Sequence, residues 1–189
     1  MEMIDVLAIC GSVREGSLNR ALLHAAQDLA DDPFRVEVWD DHSLIPRVDG
    51  TRGRPFPEAV GALRDRVSVA DVLLLVTPEF NRSIPGVLKD IVDWLAILAP
   101  PRPLAGKPVM LMSASPNRFG GVFAQLHLAD ALRRVGAEVL TDFDVAVGFA
   151  HRHIDDGGIL VGEEPRRDIA QLWRRVLPLV GEGKRAVPA

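Results

Sequence analysis

The chain has 189 residues, 48% of them hydrophobic and 25% charged, with a formal net charge of -4. That length suits one domain able to bury about 70% of its unfolded surface, and the single cysteine, Cys10, excludes an intrachain disulfide and points to a reducing cytoplasm. Interspersed acids and bases without a basic stripe speak against nucleic acid, and the acids at Glu2 and Asp5 and the absence of a bilayer-length apolar run speak against a secretory leader and a membrane span.

Ile4 to Cys10, with Val6, Leu7 and Ile9, predicts a first strand. Ser17 to Ala30 places Leu18, Leu22, Ala25, Ala26 and Leu29 on one helical face. Phe34 to Trp39 alternates as a strand does. Pro57 to Ala70 predicts a helix along Val60, Leu63 and Val67. Val72 to Val76 is apolar throughout, as a strand covered on both faces must be. Pro85 to Ala99 aligns Leu88, Ile91, Val92 and Leu95, with Pro85 in the first turn and Pro100-Pro101 as a stop. Its second apolar group, Val87, Trp94, Ile97 and Leu98, reads as an oligomer surface, with Trp94 foremost, or as deeper burial within one chain. Val109 to Met112 is a fourth strand and Val122 to Val135 a fourth helix, closed by Gly136. Val139 to Val147 supplies a fifth strand, broken or whole. A last helix carries Ile169, Leu172, Trp173, Val176 and Val180, with Pro178 fraying its end. Residues 1–180 thus read as one domain, and 181–189 as a mobile polar tail.

This alternation predicts an α/β fold, a parallel sheet with helices on both faces. Such sheets take ligands at the carboxyl ends of their strands. The loops to read are therefore those after the first, third and fourth strands.

The first is "GSVREGSLN", residues 11–19. Ser12, Ser17 and Asn19 offer polar side chains, Arg14 a guanidinium, and the following helix its unpaired N–H groups. The set reads as a phosphomonoester cradle. The plainer alternative is that Ser17 only caps its helix. A P-loop is absent, for no Gly-Lys-Ser/Thr follows, and Gly11-Ser12 departs from the dinucleotide fingerprint. Asp40 and Asp41 stand where a ribose-binding acid belongs.

The second loop, "TPEFNRSIP" from Thr77, holds backbone groups in fixed directions instead of pairing them in a ladder. It suits the polar edge of a flat heterocycle, with Phe80 against its face or rim; otherwise it is an ordinary connection with Phe80 in the core. The third, "SASPNRFGG" from Ser113, combines the donors Ser115 and Asn117, the ring of Phe119, and Gly120-Gly121 for close backbone approach. "HRHIDDGG" from His151 invites a metal reading, but alternate-residue spacing supplies no second group of ligands. In the long connection from Asp40 to Phe56, Arg52 and Arg54 are either nucleotide contacts or solvated surface.

Together, "GSVREGSLNRAL", "PEFNRSIPGVLKDIVDW" and "SASPNRFGGVFAQLHLADAL" resemble the NADPH-dependent FMN reductase family, from about Ile4 to Val180. The resemblance implies a flavodoxin-like three-layer sandwich with a five-stranded sheet in the order 2-1-3-4-5. It implies FMN as cofactor, with Ser12, Arg14, Ser17, Leu18 and Asn19 on the phosphate. Pro78, Glu79, Phe80, Asn81 and Arg82 would line the isoalloxazine, approached from the third loop by Ser115, Phe119 and Gly120. It also implies NADPH or NADH as donor, a small acceptor (free flavin, quinone, azo compound or metal oxyanion), a ping-pong scheme, and a homodimer or homotetramer. A flavodoxin-like electron carrier is the alternative. Phe80 stands where the family usually has tyrosine and Asp90 where it has asparagine.

Overall fold

The computed structural model describes residues 2–50, 55–140 and 145–183, the last three by backbone alone. Its strands are β1 (Ile4–Cys10), β2 (Phe34–Trp39), β3 (Val72–Val76), β4 (Pro108–Ala114), β5 (Glu138–Val139) and β6 (Ala146–Val147). Its helices are α1 (Leu18–Asp28), α2 (Glu58–Val69), α3 (Gly86–Ala96), α4 (Val122–Arg134) and α5 (Glu163–Gly183). Every strand pair is parallel, in the order β2-β1-β3-β4-β5, with β6 also on β4. This is the flavodoxin-like order. The fifth strand exists as two short pieces, β5 and β6, on one edge of β4; residues 141–144 between them lie outside the described residues. So do Arg52, Arg54 and the tail from 184.

The strand period of two sorts each strand's side chains to opposite faces. Val6, Ala8, Leu74, Val76, Met110 and Met112 meet α1 and α5 on one face. Leu7, Ile9, Leu73, Leu75, Val109 and Leu111 meet α2, α3 and α4 on the other. All residues of β3 are buried, as its uninterrupted apolar run requires. Each buried Leu or Val contributes about 1.5–3 kcal/mol of transfer free energy.

Four sequence expectations need correction. Pro85 is the N-cap of α3, in extended backbone (φ -68°, ψ 148°), and not a residue of its first turn. The helix α5 does not fray at Pro178 but continues to Gly183. Trp94 is not an oligomer face: it is only 5% exposed, and its indole N–H donates to the Pro46 carbonyl at 2.7 Å. Finally, α3 ends at Ala96, short of the Pro-Pro stop. Its last carbonyls are received by Arg64 of α2, a side chain left at 2% exposure. Arg64 donates to Trp94, Leu95, Ile97, Ala99 and Pro101 at 2.6–3.3 Å. A cation at the negative end of a helix, next to carbonyls that the helix leaves without donors, is doubly favoured, although the Ile97 carbonyl also accepts the Ala99 N–H at 2.8 Å. Gly136 behaves as read, ending α4 at φ 90° with its N–H on Arg133 and the Ala137 N–H on Leu132.

Candidate functional site

The loops after β1, β3 and β4 meet at the carboxyl end of the sheet. In the first, the Gly11 N–H donates to Val76 at 2.7 Å, which keeps the chain against β3 as it leaves β1. A Cβ on Gly11 would stand 3.0 Å from Leu88, so glycine lets α3 pack against this exit. Ser12 and Ser17 are buried, and Ser17 is the N-cap of α1. Its Oγ accepts the Arg20 N–H at 3.3 Å, which leaves the hydroxyl proton to donate elsewhere. Capping and ligand binding are thus compatible for Ser17. Among the described residues, no protein acceptor faces the N–H groups of residues 13–19. The first turn of α1 contains no acid, so its partial positive charge stands uncompensated. Arg14 is exposed beside it and has no carboxylate partner among the described residues.

Two residues of this region have other employment. The amide of Asn19 is 4% exposed and doubly bonded to the backbone of Ala114, donating to its carbonyl and accepting its N–H, each at 2.8 Å. Its side chain locks α1 onto β4 across β3 and is not turned toward a phosphate. Asp40 is engaged by both Arg20 nitrogens, and His42 Nδ1 lies 3.4 Å from it. The carboxylate read as ribose-binding is therefore an internal tie from β2 to α1. Burial pushes the Cys10 thiol up to about 11, despite the opposing Ser12 N–H, so it stays protonated at neutral pH and is no nucleophile.

In the second loop Phe80 and Ser83 exchange two backbone hydrogen bonds of 2.9 Å across a two-residue turn. Both turn residues, Asn81 (φ 51°) and Arg82 (φ 61°), are left-handed, as a type I′ turn demands. The expectation of an unpaired backbone therefore fails for Phe80 and Ser83. Among the described residues it holds for the N–H groups of Glu79, Asn81 and Arg82. Phe80 is 59% exposed and so is not a core residue. Glu79 ties the loop to its neighbour: its Oε2 accepts the Phe123 N–H at 3.1 Å, near the start of α4. Ser83 Oγ lies 3.1 Å from His127 Nδ1 on the same helix.

The third loop is shaped by its own polar side chains. Ser115 Oγ accepts the Asn117 N–H at 3.3 Å, and Asn117 Oδ1 accepts the Phe119 N–H at 2.9 Å. The buried Ser113 hydroxyl donates to Gly120 and accepts from Gln125 Nε2, both at 2.7 Å. Gly120 is left-handed (φ 63°), and a Cβ there would meet the Ala146 carbonyl at 2.3 Å. Only glycine fits. Ala146 lies in the last part of the predicted fifth strand, and the residues just after it were not read as part of the site: Phe149 and Ala150 donate their N–H groups to Asn117 and Ser115 at 2.9 and 3.0 Å. Their one local signal was Gly148 at the end of an apolar pair. Farther along, Asp155 Oδ1 accepts the Ile159 N–H at 2.9 Å, closing a tight turn.

The structure thus brings the sequence-selected residues to one end of the sheet, in two chemically different zones. Residues 12–18 present hydroxyls, N–H groups and a guanidinium, a donor set suited to a phosphate dianion. Residues 78–82 and 115–121 present backbone donors and exposed phenyl rings, suited to the edge and face of a planar heterocycle. Ser12, Arg14, Ser17, Leu18, Pro78 to Arg82, Ser115, Phe119 and Gly120 have the chemistry that FMN needs; the Asn19 side chain is a support, and its backbone N–H is what it leaves for a ligand.

The family model of NADPH-dependent FMN reductases matches residues 4–152, which contain all three loops. An NAD(P)H-dependent FMN reductase of Pseudomonas aeruginosa is 36% identical over 180 residues, covering 92% of this chain and 97% of that one. A quinone reductase of Escherichia coli is 34% identical over 156 residues, 82% of each chain. Among solved structures, the flavoenzyme NAD(P)H:(acceptor) oxidoreductase FerB of Paracoccus denitrificans superposes with a TM-score of 0.85 at 25% identity, over 95% of this chain and 98% of its own. With the sheet order and the three loops in agreement, the chain belongs to the NADPH-dependent FMN reductase family.

Proposed function

We propose that this protein is an FMN-dependent NAD(P)H oxidoreductase that reduces a small acceptor of the quinone class, with residues 1–180 acting as one FMN-binding domain. The observation that carries the reading is the mutual locking of the three loops, all inside the matched segment, around two zones fit for a phosphate and a flat heterocycle. Bound FMN supplies the redox chemistry, taking hydride from a reduced nicotinamide and returning two electrons to the acceptor. The chain supplies placement. Ser12, Arg14, Ser17 and the N–H groups of Leu18 and its neighbours hold the phosphate. The turn at Asn81-Arg82 fixes the backbone against the ring edge, and Phe80 and Phe119 shield its rim. Holding donor and acceptor in turn over one plane replaces a bimolecular encounter by a positioned one, worth about 7–11 kcal/mol of barrier. The chemistry requires no acid, base or nucleophile from the chain.

The P. aeruginosa and E. coli relatives, named for FMN and for quinone reduction, support this acceptor class. A homodimer or homotetramer is our reading of the assembly, with Leu98, 78% exposed just beyond α3, as an apolar residue in need of cover. A cytoplasmic location accords with one buried, unpaired cysteine. Among the described residues no helix is long and apolar enough to cross a membrane.

The test is anaerobic. Protein loaded with FMN and desalted is mixed with NADPH or NADH, and absorbance near 450 nm is followed before and after a quinone is added. Bleaching by a nicotinamide and recovery with quinone, over many cycles, is the expected result. Stable flavin binding without bleaching would move the protein to the electron-carrier class.

A further inference from the structure

Around the site, arginines stand over phenylalanine rings in three places. The guanidinium carbon of Arg82 is 3.9 Å from the Phe123 centroid, that of Arg118 is 4.5 Å from Phe119, and that of Arg152 is 4.6 Å from Phe149. The first two pairs form one stack, because the Phe119 and Phe123 rings meet edge-to-face with centroids 5.7 Å apart. The third abuts it. Phe149 donates its N–H to Asn117 at 2.9 Å, and a Cβ on Gly148 would stand 2.5 Å from the Arg118 carbonyl.

Two of these six residues, Arg82 (φ 61°) and Phe149 (φ 47°), occupy left-handed backbone. Glycine would turn the chain there without strain, so the side chains themselves are what the strained conformation places. All three arginines are exposed, and none has a carboxylate partner among the described residues. Arg20, Arg35 and Arg66 show the contrast, each paired with an acid. A chain with four more acids than bases has carboxylates to spare. A guanidinium lying on a ring face is held in orientation while its N–H edge stays open, and that edge matches phosphate in a bidentate fork.

The phosphate of FMN belongs at residues 12–18, on the β1 side of the site, whereas Arg118 and Arg152 rise from the β4 and β6 side. A quinone carries no dianion. The donor does: NADPH differs from NADH by one phosphomonoester on its adenosine ribose, with about 1.5–2 negative charges at pH 7. We propose that Arg118 and Arg152, with Arg82 completing the stack, form an anion-recognising rim that takes this extra phosphate and makes the enzyme prefer NADPH over NADH. The proposal rests on the functional reading above.

Arg118→Gln, Arg152→Gln and the double variant test it, because glutamine keeps length and polarity and removes the charge. Steady-state rates of the FMN-loaded enzyme are measured with both donors, and binding of adenosine 2′,5′-bisphosphate and of adenosine 5′-monophosphate is measured by calorimetry. In the double variant the NADPH:NADH ratio of kcat/KM falls about tenfold, through KM, with NADH kinetics unchanged. Bisphosphate binding weakens in parallel and becomes less sensitive to salt. Arg118→Lys, which keeps the charge and loses the fork, falls between. An unchanged ratio overturns the proposal, as does an equal loss with both donors, or wild-type protein that binds the two nucleotides alike. A change in sedimentation mass in the variants also overturns it, assigning the arginines to a contact between copies. If wild-type enzyme oxidises neither donor, the functional reading falls and this proposal with it; a normal oxidation rate with unaltered preference removes the proposal alone.

Discussion

Cys10 sits at the last position of β1, 2% exposed, one residue from the proposed phosphate cradle. Its thiol is raised from the ordinary 9.0 to about 11 by burial. Between those values the unfolded chain has lost the proton and the folded chain keeps it. Stability attributable to this group is therefore intact below pH 9 and falls above it, by about 1.4 kcal/mol per pH unit until the folded thiol ionises. Urea unfolding of wild type and Cys10→Ala from pH 8 to 11 checks this: the difference between them shifts against wild type as pH rises. A difference independent of pH contradicts it. Asn19 makes the complementary point. Asn19→Ala removes two buried hydrogen bonds and leaves Ala114 unpaired, so it costs about 2–3 kcal/mol of stability. If Asn19 instead held the phosphate, stability would be unmoved and only FMN affinity would drop. Side-chain types in the "GSVREGSLN" stretch announced an anion site, but which of them face inward depends on a contact between residues 19 and 114 that no local pattern reveals.

Elements fared differently from their ends. The apolar periods of α1 to α5, the apolar run of β1 after Asp5 and the uninterrupted run of β3 were legible, because burial on one stripe or on both faces leaves a regular mark. The termination of α3 was not. Arg64 stands beside Leu63 on the predicted helix with no local sign of a partner, yet it is a five-carbonyl cap for another element. Arg64→Leu keeps the apolar contacts and strands those carbonyls. It is expected to cost about 3–5 kcal/mol in urea unfolding, with Arg64→Lys recovering part. A loss below about 1 kcal/mol would mean that water replaces the guanidinium without penalty. Asp90 is likewise a tie between elements, through an oxygen that asparagine would also supply, so the contact leaves the departure from the family residue without a structural explanation. The Asp90 Oδ1 accepts the Val48 N–H at 3.1 Å, beside the Trp94 bond to Pro46, so α3 pins the connection that follows β2. Asp90→Ala should therefore speed proteolytic cleavage within residues 45–50 while leaving the unfolding midpoint almost unchanged. Asp90→Asn, which keeps an acceptor oxygen, should not.

At the scale of the whole molecule, the sheet order places the ends of β1, β3 and β4 side by side, and those strands carry the loops with the chemistry. The alternation of elements reaches a parallel sheet with helices on both faces, but right-handed crossovers fit more than one strand order, and the order itself came from the family resemblance. The edge is less legible: β5 and β6 are two residues each, too short for a periodic signal, and the segment from Gly148 joins the third loop through backbone hydrogen bonds that leave no side-chain pattern. The central claim is that one end of this sheet holds a phosphate and a heterocycle in separate zones. The most direct measurement is equilibrium titration of flavin-free protein with FMN and with riboflavin, in wild type and Arg14→Ala, by flavin fluorescence. Wild type should bind FMN at least about a hundredfold more tightly than riboflavin, and Arg14→Ala should shrink that ratio about tenfold by weakening FMN alone. Equal affinity for the two flavins, or no binding of either, would contradict the account.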